Sequence, residues 1–151
     1  MPWASAPSAN VAPMDQKTGY SGTPLPRKLG IKAGHHLLIV RAPKGFDPQP
    51  LPDGVTVHHR AGTGPYDVIV AFAADGATLD REFASLAAKL DRAGALWICW
   101  PKKSSALACD LSDTRVREAG LDLPIGLVDV KVAAIDTTWS ALKFVYRLAA
   151  R

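Results

Sequence analysis

The chain has 151 residues and a formal net charge of +4, and 48% of its residues are hydrophobic while 21% are charged. This length suits one domain with a substantial core, and this composition excludes an intrinsically disordered chain. No apolar stretch is long enough to span a membrane, and residues 1–10 lack the basic and apolar regions of a secretory signal. The sequence therefore predicts a cytoplasmic protein without a membrane partner.

The cysteines and the paired histidines do not predict a metal site. Cys99 and Cys109 provide neither a disulfide framework nor a metal-binding set, and Cys99 falls in an apolar strand where it would be buried. Adjacent residues of a strand point to opposite faces, so His35-His36 and His58-His59 each offer one ligand per side. No carboxylate stands at ligand spacing from them, and we expect no bound metal.

Residues 1–18 are rich in Ala, Ser and Pro, which predicts a flexible N-terminal tail ahead of a single α/β domain over residues 19–151. A short helix is predicted at the start of this domain, because Thr23 suits a helix cap and Gly30 suits a helix end. The two leucines of the helix share one face and would pack on the body of the domain.

Apolar strands and a proline-rich connection follow the short helix. Residues 36–42 and 55–60 are predicted as the first two strands. Between them, Pro43–Gly54 holds four prolines, which excludes a normal helix. A third strand over 66–72 is an almost unbroken apolar run, which is typical of a strand buried on both faces.

The second half of the chain predicts two helices and three strands. A helix over 78–93 carries one apolar stripe, an apolar strand follows over 95–100, and a serine suits the cap of a helix over 112–120. Strands over 127–135 and 141–148 are separated by too few residues for a parallel crossover, so they should form an antiparallel pair.

This alternation predicts a three-layer Rossmann-like α/β sandwich of about six strands, mostly parallel, with a C-terminal antiparallel hairpin. The strand–helix–strand–helix–hairpin ending resembles the second half of class I methyltransferases. A likeness at the level of the fold implies an architecture and does not carry an activity with it.

A closer resemblance is carried by seven segments spread from Gly19 towards the end of the chain. They are Gly19–Leu25, Leu29–Ile31, Ala42–Pro43, Leu96–Trp97, Trp100–Lys103, Gly126–Val132 and Asp136–Phe144. In these segments the chain resembles a family of bacterial proteins with a methyltransferase-like fold, the domain-of-unknown-function family 3052. The resemblance implies a relative and not a reaction.

The carboxyl edge of the predicted sheet is where a ligand is expected, because open α/β sheets bind ligands beyond the carboxyl ends of their strands. The candidate ligand-binding residues at this edge and in the segment before it are Tyr20, Ser21, Arg41, Lys44, Trp100, Lys102, Lys103, Asp136, Thr138 and Trp139. Lysines beside aromatic rings would suit an anionic small molecule or a nucleotide.

Two roles stay open for parts of this set. Asp136 and Lys102 could form an acid–base pair or a structural salt bridge, and no catalytic residue is assigned. Tyr20 is predicted to fold back against Trp100–Lys102 or Asp136–Trp139, where it would close the usual cofactor cleft. Alternatively, its segment only covers an apolar face and leaves Tyr20 in solvent.

S-adenosylmethionine needs a glycine turn after the first strand, and its sites commonly hold an acid after the second. This chain has Arg41–Phe46 and His59-Arg60 at those places, so no cofactor is expected and S-adenosylmethionine is disfavoured. The favoured function is a non-enzymatic or cryptic ligand-binding module. The alternatives are a divergent S-adenosylmethionine-dependent methyltransferase and a small nucleic-acid-associated protein, the latter less favoured because the basic residues are dispersed along the chain.

Overall fold

Six strands and three α-helices make up the computed structural model, which describes residues 23–105, 107 and 109–150. The strands are β1 (His36–Val40), β2 (Thr56–His58), β3 (Tyr66–Phe72), β4 (Leu90–Pro101), β5 (Leu127–Ala134) and β6 (Trp139–Tyr146). The helices are α1 (Leu25–Leu29), α2 (Gly76–Ala88) and α3 (Asp113–Leu121), and a 3-10 turn occupies Leu148–Ala150. The predictions on the N-terminal tail, on Tyr20 and on Ser21 lie outside the described residues.

The strands form one sheet in the order β2-β1-β3-β4-β6-β5. The pairs β1–β2, β1–β3 and β3–β4 are parallel, whereas β6 runs antiparallel to both β4 and β5. This arrangement confirms the predicted α/β class, a mostly parallel sheet that ends in an antiparallel hairpin.

The two faces of the sheet carry different layers. On one face, α2 and α3 pack through Phe83 and Val116 against Trp100 and Phe144. On the other face, α1 and parts of the proline-rich segment pack against Trp97. The two tryptophans of β4 therefore lie on opposite faces of the sheet, as the alternation of side chains along a strand requires.

The longest helix ends at Ala88 rather than at residue 93, and β4 begins at Leu90 rather than at residue 95. The backbone N–H of Tyr66 donates to the carbonyl of Lys89 at 2.9 Å, and Leu90 is the register partner of Tyr66. This pairing with β3 overrides a helix preference that is worth only about 0.5 kcal/mol per residue.

Other element ends differ by smaller amounts. β1 stops at Val40 because Arg41 turns the chain with a φ of 59°, in the left-handed region. β2 is shorter than predicted, β5 ends one residue early at Ala134, and β6 starts at Trp139 and ends at Tyr146. α3 matches its prediction closely.

The start of α1 corrects one prediction and its end confirms another. The helix begins after Pro24 without a side-chain cap, so the predicted cap at Thr23 is wrong. Gly30 ends the helix with a φ of 77°, a conformation that favours glycine. Pro43–Gly54 contains no helix, as its prolines predict. Among the described residues, no helix is long and apolar enough to cross a membrane.

Candidate anion-binding site

Arg41, at the carboxyl end of β1, forms an ion pair with Glu82 of α2. Its guanidinium donates from Nε to Oε1 of Glu82 on α2 at 3.1 Å, and a second, closer contact joins Nη2 to Oε2. The hydrogen bond to Arg41 holds the pKa of Glu82 below its ordinary value, although partial burial of the carboxylate opposes the shift. Arg41 thus lies on the α2 side of the sheet edge.

The two candidate tryptophans belong to the core. Trp100 is only 5% exposed and packs on the side of α2 and α3, whereas Trp139 is 7% exposed. The Trp139 ring meets the edge of Phe72 with 5.1 Å between centroids, and Phe72 in turn meets Phe46 at 5.0 Å. These contacts fill the carboxyl edge with a chain of rings, so neither tryptophan offers an open stacking surface to a ligand.

Asp136 stabilises the hairpin turn between β5 and β6. Its Oδ1 accepts hydrogen bonds from the backbone N–H groups of Thr138 and Trp139, both at 2.8 Å. The carbonyl of Thr138 accepts from the backbone N–H of Lys102 at 2.7 Å, which ties the turn to the end of β4. The Asp136 carboxylate therefore has a structural role in the turn.

The candidate residues do not form one site. Arg41 pairs with Glu82 of α2. Lys102, in contrast, lies near Lys28 of α1 on the opposite face of the sheet, where its positive charge helps to lower the pKa of Lys28. Lys44 and Lys103 are exposed in the connections that follow β1 and β4. The centre of the carboxyl edge is occupied by structural contacts, and the candidate lysines lie around it.

This edge does not match the requirements of S-adenosylmethionine. A glycine turn after β1 would let the backbone approach the cofactor, but Arg41 stands there and reaches across to Glu82. No acid follows β2, where the chain continues with His59 and Arg60. At these two places the chain thus has an arginine ion pair and basic residues, where S-adenosylmethionine sites commonly have a glycine turn and an acid.

Lysines gather instead on the α1 face of the hairpin. Trp97 of β4, Lys143 of β6 and Lys131 of β5 are successive register partners across three strands. The Nζ atoms of Lys131 and Lys143 each lie 5.9 Å from the centroid of the Trp97 ring. Two ammonium groups therefore share one buried aromatic ring, near the outer limit of a cation–π contact.

A groove between α1 and β5 extends this positive surface. It has a volume of about 580 Å³, and Arg27, Lys28 and Lys131 supply its charged walls. The ammonium of Lys28 donates to the carbonyl of Ala134 at 2.9 Å, which holds the lysine across the groove. We call Lys28, Lys32, Lys131 and Lys143 the lysine face.

The lysines of this face repel one another. Burial, followed by the charges of Lys102 and Lys131, lowers the pKa of Lys28. Burial, followed by the charges of Lys131 and Lys32, lowers the pKa of Lys143. Ion pairs between described residues are formed by arginines, and none of them involves Lys131 or Lys143. The lysine face is thus a concentration of positive charge, and no described residue forms an ion pair with Lys131 or Lys143 at its centre.

His36 of β1 and His58 of the edge strand β2 contact each other on the side of the sheet away from the hairpin. Nδ1 of His36 and Nε2 of His58 are 3.2 Å apart, and an open pocket of about 620 Å³ adjoins them beside Asp67, Tyr66 and Arg60. The contact joins one histidine from each predicted pair, which sequence reasoning treated separately. Within the described part of the chain, no group of three or more His, Cys, Asp or Glu residues could hold a metal ion.

No family model matches the chain, and no curated protein matches it. Among solved structures, TrmN from Thermus thermophilus is similar with a TM-score of 0.51 and 13% identity, over 82% of this chain and 47% of that chain. A SAM-dependent methyltransferase from Aquifex aeolicus gives a TM-score of 0.46 and 16% identity, over 78% of this chain and 85% of that chain.

This chain spans about half the length of TrmN, and the likeness between them establishes a methyltransferase-like α/β fold. At such low identity the likeness extends to the fold alone, because unrelated functions share folds of this kind. Membership of family 3052 stays a prediction.

Proposed function

We propose that the protein is a non-enzymatic ligand-binding module on a methyltransferase-like fold, and that its lysine face binds phosphate-bearing anions. The observation that carries the proposal is the pairing of Lys131 with Lys143 over Trp97, with Lys28 and Lys32 beside them. Like charges placed directly opposite each other in a sheet are destabilising. A bound anion would remove that cost and form charge-assisted hydrogen bonds with the ammonium groups.

The direct test is a titration with inorganic tripolyphosphate, followed by calorimetry and by amide chemical shifts. We expect shifts centred on β5, β6 and α1. The variant Lys131→Gln/Lys143→Gln should bind at least about tenfold more weakly, since each lost charge–phosphate contact is worth about 1.5 kcal/mol or more. Arg81→Gln/Lys89→Gln removes the same charge from α2 and its C-cap, on the other face of the sheet, and should bind as the wild type does. Equal weakening in both variants would refute the assignment of the site.

A second candidate function is that of a divergent S-adenosylmethionine-dependent methyltransferase, favoured by the fold likeness to TrmN. The mismatched carboxyl edge, with Arg41 paired to Glu82, argues against it. Calorimetry with S-adenosylhomocysteine separates the two candidates, because a ligand that binds only the native state must also raise its melting temperature. We expect neither heat nor stabilisation at about millimolar ligand, and a rise of several degrees would favour the methyltransferase.

A further inference from the structure

We infer that the lysine face binds the phosphodiester backbone of nucleic acid without reading its bases. The inference rests on the proposed function and names the ligand class for the same surface. Dispersion of basic residues along the sequence made this partner the less favoured one. The fold brings Lys28 and Lys32 together with Lys131 and Lys143, from segments about a hundred residues apart in the sequence.

The positive charges form a strip rather than a point. Lys131 and Lys143 lie opposite each other at one end, above the Trp97 ring, and the ammonium of Lys28 is held at the carbonyl of Ala134. The backbone of β5 advances roughly 10 Å from Lys131 to Ala134, at about 3.3 Å per residue, and this advance sets the length of the strip. One phosphate cannot reach both ends of such a strip. A nucleic acid can, since each strand of a duplex carries one phosphate for about every 3.4 Å of helix axis.

The surface offers charge without the means to read bases. Trp97, the aromatic ring beneath the lysines, is 0% exposed, so a base cannot stack on it. Stacking on aromatic side chains is what holds individual bases in single-strand binding sites. Each member of the lysine face is a compact point charge that suits phosphate, and Arg27 of the adjoining groove is equally suited to a phosphate contact. These features favour contacts to the backbone, which position a nucleic acid and carry no sequence information.

The groove beside the strip is compatible with a polymer. It is an open depression between α1 and the edge strand β5, and Thr23 and Val132 line it together with the cationic residues. An open groove lets a chain enter at one side and leave at the other, whereas a small phosphorylated ligand usually sits in a closed, concave pocket. The geometry therefore favours an extended ligand that tracks the surface.

The test uses fluorescence anisotropy with labelled duplex DNA and single-stranded RNA, each about 20 nucleotides long, between about 50 and 200 mM salt. With four lysines on phosphates, the logarithm of the association constant should fall with the logarithm of salt at a slope of about −3.6 for the duplex and about −2.8 for the single strand. Probes of unrelated sequence should bind with similar affinity. The full chain is used throughout, and its spectrum is checked for the native fold in every variant.

The variants make the outcome decisive. Lys131→Gln/Lys143→Gln should lower the slope by about 2 and weaken binding equally for all sequences, since each phosphate-contacting lysine contributes about one unit. Arg81→Gln/Lys89→Gln, which removes the same charge from α2 and its C-cap, should keep the wild-type slope, and equal losses in the two variants would overturn the inference. If tripolyphosphate binds at the lysine face but Lys131→Gln/Lys143→Gln changes the binding of neither nucleic acid, the inference fails and the proposed function stands. If tripolyphosphate does not bind there either, both fail.

Discussion

Lys131 and Lys143 lie directly opposite each other in the antiparallel pair of β5 and β6, with both ammonium groups 5.9 Å from the centroid of the buried Trp97 ring. This placement brings the two positive charges close together, so the two ammonium groups repel each other. Partial burial of Lys143 strengthens the repulsion, because water screens it less there. The protein therefore carries an electrostatic cost at the surface where we place its ligand.

Lys131→Gln should consequently stabilise the unliganded protein. Lys131 is exposed, so the substitution removes its repulsion of Lys143 and Lys28 without opening a cavity. We expect the free energy of unfolding to rise by about 0.5 kcal/mol at low salt. The gain should shrink in about 1 M salt, where the Debye length is only ~3 Å. Urea unfolding at the two salt concentrations measures both values, and a loss of stability at low salt would contradict the repulsion.

The depressed pKa of Lys143 gives the protein a defined response to alkaline pH. The folded state holds this pKa below the ordinary 10.5, so the native protein releases the proton before the unfolded chain does. Between the two values the unfolded chain binds more protons, and stability therefore rises with pH. The stability of the wild type relative to Lys143→Gln, measured by urea unfolding, should increase as the pH rises from the lowered pKa of Lys143 towards 10.5. In Lys131→Gln this increase should be smaller, because one cause of the depression is gone. A flat or falling difference would contradict the assignment.

The sequence was sufficient for the sheet and for most of its members. β3 occupies 66–72 as predicted, because an apolar run of that length fits a strand buried on both faces. The predicted boundary between α2 and β4 was wrong. It depends on the pairing of Tyr66 with Leu90, a tertiary contact that no local sequence pattern indicates. Periodicity describes the preference of one segment, whereas element ends depend on what lies beside them.

None of the four lysines of the lysine face was among the residues predicted to bind a ligand. Of the predicted residues that the structure describes at the carboxyl edge, Trp100 and Trp139 lie in the core and Asp136 stabilises the turn. The pairing of Lys131 with Lys143 could have been predicted from the sequence, because a hairpin that is symmetric about Thr137 places these two residues opposite each other. The hydrogen bond from Lys28 to Ala134 could not have been predicted, since it depends on how α1 packs onto the sheet.

Gly120→Ala should destabilise the protein, although alanine is usually the better helix residue by about 1 kcal/mol. Gly120 lies in α3, and a Cβ there would overlap ring atoms of Phe144 on β6. Phe144 is fully buried and meets the edge of Phe83 at 5.1 Å, so its ring has no space to withdraw into. Overpacking of this kind costs about 1–3 kcal/mol and should outweigh the helix gain.

Urea unfolding of a double-mutant cycle with Phe144→Leu checks the cause. Gly120→Ala should cost less in the Phe144→Leu background than in the wild type, because the smaller side chain leaves room for the methyl group. Stabilisation by Gly120→Ala alone would mean that α3 does not pack on Phe144 as closely as the structure has it.

Trp97→Phe should release α1 from the sheet. The indole N–H of Trp97 donates to the carbonyl of Leu29 at 3.0 Å, and both residues are 0% exposed. Phenylalanine would leave that buried carbonyl without its donor, at a cost of about 1–3 kcal/mol in addition to the lost packing. A helix of five residues has little stability of its own, so α1 depends on this docking.

Hydrogen exchange separates this local effect from a general loss of stability. The amide of Ile31, which donates to the carbonyl of Pro26 at 2.9 Å, should lose protection in Trp97→Phe while the amides of β3 keep theirs. Trp100→Phe makes the same chemical change in the opposite core and should leave the Ile31 amide protected relative to the rest of the protein. Because α1 carries Lys28 to the groove, Trp97→Phe should also weaken tripolyphosphate binding more than Trp100→Phe does. Equal protection of Ile31 in the two variants would show that the indole does not hold α1, and the lysine face would then have to be positioned by other contacts.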